Sequence, residues 1–158
     1  MLSEGAHEYS LRVTPEEVGL DSRFTKPVEV EATIDKTNRE LVLRTRVTTG
    51  GKFTCDRCLE EFEREVNAEY TLMYVTDDRG NGLNDEEVQL ITPEMNHIDL
   101  GEDVRQFTIL GLPQKMLCRD DCAGLCASCG TNLNNDKCQC PPALVDARWS
   151  GLEKLSKN

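Results

Sequence analysis

Cysteine carries most of the chemical potential of this chain. Its eight cysteines fall into pairs: Cys55 and Cys58 in "CDRC", Cys118 and Cys122 in "CRDDC", Cys126 and Cys129 in "CASCG", and Cys138 and Cys140 in "CQC". A Cys-x-x-Cys turn presents two sulfurs to one metal ion, and a structural zinc site is closed by four thiolate or imidazole ligands. Gly130 follows Cys129 directly, and glycine there permits a positive φ that brings backbone N–H groups toward sulfur. "CDRC" has the same spacing without the glycine. The histidines, His7 and His97, are expected to be ordinary surface or boundary residues, with His7 in a tail and His97 ahead of a helix.

Eight cysteines with no necessary histidine divide into two four-sulfur zinc sites. The favoured division follows loop geometry. Cys126, Cys129, Cys138 and Cys140 close a local knuckle around "GTNLNNDK", and Cys55 and Cys58 join Cys118 and Cys122 across a long loop. A clip across a long loop removes more chain entropy than a short closure. "AGL" (123–125) then bridges the two sites. One zinc site plus two free buried thiols among the six, and no metal at all, are the alternatives. Four thiolates on one Zn²⁺ leave a double negative charge, and Arg57, Lys115, Arg119 and Lys137 are placed to offset it.

Other chemistries find less support. A redox reading of "CDRC" wants a helix N-terminus to lower the thiol pKa, and strand-like residues follow instead. "GNG" lacks the lysine and the strand–helix context of a phosphate loop. With so few histidines, no Ser/His/Asp set forms, and sulfur-only metal sites leave no open coordination position. The chain is therefore expected not to be an enzyme.

The elements that must position the cysteines read as α+β: an antiparallel β-rich body, a few short helices, and a small C-terminal cysteine-rich zinc knuckle. "VEVEATID" alternates, with Val28, Val30, Ala32 and Ile34 on one face, and "ELVLRTRV" follows with Leu41, Leu43, Thr45 and Val47. A hairpin with Thr37-Asn38 at its tip sets Ile34 opposite Leu41, Ala32 opposite Leu43 and Val28 opposite Val47. It also sets Glu31 opposite Arg44 and Glu29 opposite Arg46, and leaves Asp35 mismatched against Glu40. A second alternation runs Phe62, Val66, Ala68, Tyr70, Leu72 and Tyr74, interrupted by Arg64, with "CDRC" in the turn before it.

Residues 77–87 read as a loop and "VQLI" as a short strand. A helix is expected near 99–112, with Asp99 and Glu102 at capping-box spacing, Leu100, Val104, Phe107 and Leu110 inward, and Gly111 and Pro113 ending it. A short amphipathic helix capped by Asp146 would bury Trp149, Leu152 and Leu155. The body spans 1–117 and the cysteine-rich segment with its helix 118–158, expected to be integrated as one domain.

At 158 residues the chain has room for an ordinary core, and it has no apolar run long enough to span a membrane. The N-terminus lacks a signal-peptide or transit-peptide pattern, so a bacterial, cytoplasmic protein is expected. That compartment is reducing, which favours metal ligation over disulfides. The formal charge is −11 and uneven, with residues 77–103 holding one basic residue against nine acidic. Broad nucleic-acid binding needs clustered cations, so any RNA contact must be local or made through a partner.

Three segments, "CDRCLEEF" (55–62), "IDLGEDVRQFTILGLPQKMLC" (98–118) and "CAGLCASCGTNLNNDKCQC" (122–140), with "DARWSGLEKL" behind them, resemble the YceD family, the large ribosomal RNA subunit accumulation proteins. The resemblance covers about 28–155. Cys55, Arg57, Cys58 and Leu59 match the family's Cys-x-Arg-Cys-Leu, and Gly124, Leu125, Cys126, Cys129 and Gly130 its Gly-Leu-Cys-x-x-Cys-Gly. Relatives often begin the tail helix Asp-Pro-Arg; here Asp146-Ala147-Arg148 stands instead.

The resemblance implies a role in accumulation of large-subunit ribosomal RNA and no known catalytic residues. It points to a zinc-stabilised factor in ribosome biogenesis that binds a ribosomal protein or precursor large subunit. Arg57, Arg119 and Lys137 are candidate contacts for local ribosomal RNA, or else screen thiolate charge. The acidic 77–103 segment could engage basic ribosomal proteins. A direct RNA-binding module is the second reading, and a redox or metal-sensing protein the third.

Overall fold

The computed structural model describes residues 3–37, 40–75, 88–90 (backbone only) and 97–141. Within them lies one sheet of order β1-β2-β3-β4-β5. The strands are β1 Gly5–Val13, β2 Val28–Lys36, β3 Glu40–Thr54, β4 Glu61–Val75 and β5 Val88–Leu90, and α1 covers Gly101–Leu110. The first four strands pair antiparallel. β5 pairs with β4 in parallel, so the antiparallel body expected carries one parallel strand beside it. The tail helix from Asp146, with Trp149, Leu152 and Leu155, and the 77–87 loop lie outside the described residues.

Alternation fixes which face is buried. Val28, Val30, Ala32, Leu41, Leu43, Val47, Val66, Ala68, Tyr70, Leu72 and Tyr74 all turn to one side and form the core. That side is covered by Leu20 and Phe24 from the β1–β2 connection and by Val104 of α1. Phe107 of α1 stacks on Tyr70, with ring centroids 4.2 Å apart and planes 8° apart, and Phe24 meets Phe53 edge-on at 5.7 Å. These aromatic contacts fasten helix and loop to the sheet.

The β2–β3 register differs from the expected one by two residues. Ile34 pairs with Leu43, Ala32 with Thr45, Val30 with Val47 and Glu31 with Arg46. The turn falls one residue later, where Thr37 N–H donates to Glu40 O at 2.9 Å. An even shift keeps every side chain on its expected face. It also removes the Asp35–Glu40 mismatch: Asp35 now pairs with Val42 and makes an ion pair with Arg44. Arg46 bonds Glu69 across β3–β4 at 2.8 Å, and Glu31 lies 3.9 Å away.

Three further expectations need correction. His7 lies in β1 opposite Ile34, not in a tail. Asp99 sits one residue before the N-cap position, Leu100, and accepts from Gly101 N–H at 2.9 Å, so no capping box forms. Glu102 turns instead to Arg105 and Gln106, and those hydrogen bonds lower its carboxyl to about 2. Leu110 is 75% exposed; Thr108, one turn after Val104, takes the buried position.

β3 and β4 form the backbone of the site. They are fifteen residues each and pair along their whole length, from Glu40–Val75 to Thr54–Glu61. Near the far end β3 passes under the β1–β2 connection, where Gly51 bridges Phe24 and Lys52 N–H donates to Arg23 O at 2.8 Å. A Cβ on Gly51 would lie 2.1 Å from Arg23 O, so only glycine fits.

Candidate metal centres

The turn of this long hairpin is residues 55–60, "CDRCLE", so the first cysteine pair caps the end of the sheet. Cys55 N–H donates to Glu60 O and Leu59 N–H to Cys55 O, each at 2.9 Å, curling the turn around its sulfurs. Leu59 takes φ 60°, the only described non-glycine residue in the left-handed region, and its side chain is 63% exposed. In the second turn Gly130 holds the corresponding place with φ 74°. Both Cys-x-x-Cys turns therefore use the same backbone, and the first accommodates it without glycine.

The segment after α1 returns to this turn. Asp56 N–H donates to Met116 O at 2.8 Å, and Asp56 Oδ2 accepts from Met116 N–H at 2.6 Å. This clamp brings Cys118 and Cys122 beside Cys55 and Cys58. The sulfurs of Cys55 and Cys122 are 3.8 Å apart and those of Cys58 and Cys118 3.7 Å. Cys55, Cys58 and Cys122 are buried and Cys118 half-buried. Cys126, Cys129, Cys138 and Cys140 form a second group, with Cys138 3.2 Å from Cys126 and 3.5 Å from Cys129. Within each group all four sulfurs lie within 4.8 Å of one another, and none is in a disulfide. The eight cysteines thus gather into two tetrads, each of which could hold a metal ion.

The donor sets fit a tetrahedral thiolate site. With Zn–S bonds of about 2.3 Å, the edge of an S₄ tetrahedron is about 3.8 Å. The first tetrad already shows that spacing. The second is more exposed and more tightly drawn in, with Cys129 at the surface.

Electrostatics separate the sulfurs within each tetrad. Burial raises the Cys55 thiol, but N–H groups of Cys118, Cys58 and Arg57 outweigh it and lower it to about 6. Burial, then the neighbouring sulfurs, push Cys118 up to about 12. In the second tetrad the Thr131 hydroxyl and N–H lower Cys129 to about 6, while Cys138 and Cys129 drive Cys140 up to about 12. Four crowded thiols cannot all ionise unaided; a bound cation would supply the missing charge and expel the remaining protons.

The strap "AGL" runs between the tetrads. Gly124, at φ 74°, lies so close to Arg57 that a Cβ would sit 3.1 Å from its carbonyl oxygen. Leu125 N–H donates to that oxygen at 3.1 Å, and Leu133 N–H to Gly124 O at 2.9 Å. Of the candidate binding residues, Arg57 donates from Nη1 to Cys122 O at 2.9 Å, and Arg119 donates to Asn134 Oδ1 at 2.7 Å beside Asp121. Lys137 is exposed and makes no hydrogen bond or ion pair among the described residues. His7 and His97 belong to neither tetrad.

Sequence reasoning missed the polar residues that touch sulfur. Asn134 Nδ2 donates to Cys122 Sγ at 3.3 Å, and Thr131 Oγ1 lies 3.1 Å from Cys129 Sγ. The asparagine-rich "GTNLNNDK" was the signal available, since loop amides are natural donors to thiolate.

Fold and site together define a β-sheet protein whose long hairpin and C-terminal segment are organised by two four-cysteine clusters. Residues 43–156 match the family described as Large ribosomal RNA subunit accumulation protein YceD, and the chain belongs to that family. It is 24% identical over 159 residues to the Arabidopsis thaliana protein named large ribosomal RNA subunit accumulation protein YCED homolog 1, chloroplastic, covering 82% of this chain and 48% of the relative. An uncharacterised Mycobacterium leprae protein is 25% identical over 129 residues, covering 82% of this chain and 59% of its own length. The Zea mays YCED homolog 1, chloroplastic, is 26% identical over 161 residues, covering 80% and 54%. The chain thus spans about half the length of the curated relatives it matches. No solved structure matches it. No described helix is long and apolar enough to cross a membrane.

Proposed function

We propose that the protein is a non-catalytic, zinc-stabilised factor that promotes accumulation of large-subunit ribosomal RNA by binding a ribosomal component. The family name supports the ribosomal role. The observation that carries the zinc reading is the pair of four-sulfur clusters without a disulfide, the first of them already at tetrahedral spacing. Each cluster takes one Zn²⁺, through Cys55, Cys58, Cys118 and Cys122, and through Cys126, Cys129, Cys138 and Cys140. Four sulfur ligands complete a structural site and leave no position for substrate.

The zinc joins the β-rich body, 1–117, to the segment 118–158 as one unit. Free thiols in such number suit the reducing bacterial cytoplasm. The partner is a ribosomal protein or precursor large subunit, because the acidic chain suits a basic protein better than a phosphate backbone. A local contact with ribosomal RNA is the second reading. Lys137 favours it most, since Arg57 and Arg119 already hold the chain's own carbonyl and amide oxygens.

Co-sedimentation of tagged protein with precursor large subunits tests the proposal. It predicts enrichment in those fractions and loss of mature large-subunit RNA in a deletion strain. Absence from ribosomal fractions, with normal RNA in the deletion strain, would remove it. Gel shifts with ribosomal RNA fragments that vanish in Lys137→Ala would favour the second reading.

A further inference from the structure

The outer edge of β1 forms a surface unrelated to the metal clusters. β1 has nine residues, against the five or six usual for a strand. β2 pairs with one side of it, and no described strand pairs with the other. Glu8, Tyr9, Ser10, Leu11 and Arg12 are all exposed. Tyr9 and Leu11 stand opposite the buried Ala32 and Val30, on the core face of the sheet, yet remain 41% and 47% exposed. The apolar face therefore runs out to the edge and stays partly exposed there, with no described strand beyond it. Soluble proteins usually protect such edges with proline, lysine or a bulge. β1 contains neither residue, and its register with β2 is unbroken over all nine pairs.

We propose that β1 pairs antiparallel with β1 of a second copy, about a twofold axis at Ser10, joining two sheets into one. An antiparallel ladder with a twofold axis through a residue pairs only residues of like parity, so neighbouring choices of axis differ in every facing pair. With the axis at Ser10, Glu8 faces Arg12 of the second copy and Tyr9 faces Leu11, each twice by symmetry. An axis at Tyr9 sets Glu8 against Ser10 and His7 against Leu11. An axis at Leu11 sets Arg12 against Ser10. Only the Ser10 register satisfies charge on the solvent face and apolar contact on the core face together. Arg12 is held loosely now, 3.8 Å from Glu29 of β2 on the exposed face, so it stands ready between Glu29 and an incoming Glu8. The self-complementary order Glu-Tyr-Ser-Leu-Arg favours a second copy over an unrelated strand.

Sedimentation velocity of the metal-loaded full chain, over a concentration series in about 0.15 M salt where screening sets in beyond about 8 Å, tests this. The wild type moves from one-copy to two-copy mass as concentration rises. Arg12→Glu or Glu8→Arg weakens association about tenfold or more, because each spoils two symmetry-related pairs. The double exchange Glu8→Arg with Arg12→Glu restores it. A one-copy mass at every concentration overturns the proposal. So does a dimer indifferent to both single reversals, or a double variant that stays monomeric while circular dichroism shows an intact sheet.

Discussion

Asn134 belongs to the loop closed by the second cysteine tetrad, yet its Nδ2 donates to Cys122 Sγ in the first, at 3.3 Å. Its Oδ1 accepts from Ala123 N–H at 2.8 Å and from Arg119 at 2.7 Å. One side chain thus joins a sulfur of one tetrad, the strap between the tetrads and a candidate binding arginine. Disturbing the second tetrad therefore reaches the first through this amide as well as through the strap.

Asn134→Ala is expected to destabilise the protein by about 1–3 kcal/mol, the cost of leaving the polar groups around it unpaired. It should also speed metal release from the first tetrad, as judged with a chromogenic chelator. Unchanged release kinetics would show that the bond to Cys122 does not support the site.

Metal analysis of protein purified without added zinc should give about two ions per chain, as expected for two closed four-sulfur sites. Chelator should take them in order, the second tetrad first, because Cys129 is exposed whereas Cys55, Cys58 and Cys122 are buried. Cys129→Ser should retain about one ion and a folded sheet. Cys55→Ser should lose cooperative unfolding, since its sulfur helps tie the hairpin turn to the segment after α1. Simultaneous loss of both ions at low chelator would count against the order.

Gly51→Ala should destabilise by about 3 kcal/mol, at the upper end for overpacking, because its Cβ meets backbone rather than a yielding side chain. Gly130→Ala differs in kind. Nothing lies within 4 Å of the added carbon, so only the cost of φ 74° remains, about 1–2 kcal/mol. Urea denaturation of both variants would check the ranking.

Tyr74 gives the fold an alkaline limit. Burial, then Asp103 and Tyr70, raise its hydroxyl to about 12. The unfolded chain ionises first, so stability from the buried neutral phenol is complete below pH 10 and is lost as pH rises through about 12. The hydroxyl has no hydrogen-bond partner among the described residues, so Tyr74→Phe should be neutral or slightly stabilising at pH 7 and flatten the alkaline limb. A steeper loss above pH 10 in Tyr74→Phe would contradict this.

What could be read from the sequence was whatever repeats locally. The alternation of β2, β3 and β4 put each core residue on its correct face, because a period of two depends on neighbours alone. The β2–β3 register depends on where the chain turns, and the sequence between Lys36 and Glu40 carries no strong turn chemistry, so the expected register is displaced by two. β1 escaped notice because its apolar residues are few and stay exposed. Leu110 was assigned inward by spacing, but the last turn of α1 faces the core through Phe107 and the buried Thr108, which leaves Leu110 on the outer side. The grouping of cysteines followed from loop lengths; the contacts of Asn134 and Thr131 with sulfur did not, since they depend on how the second loop folds back.

The first tetrad draws on two segments far apart in the chain. As the polypeptide is made, Cys55 and Cys58 precede Cys118 and Cys122 by about sixty residues. The hairpin can zip while its turn still holds half a binding set. A chain cut short before Cys118 has the strands but not the fastening, and would present two bare thiols at the sheet's end. Completed and unfinished molecules are thereby marked apart by chemistry rather than by shape, and a metal ion that needs all four sulfurs would tell one from the other.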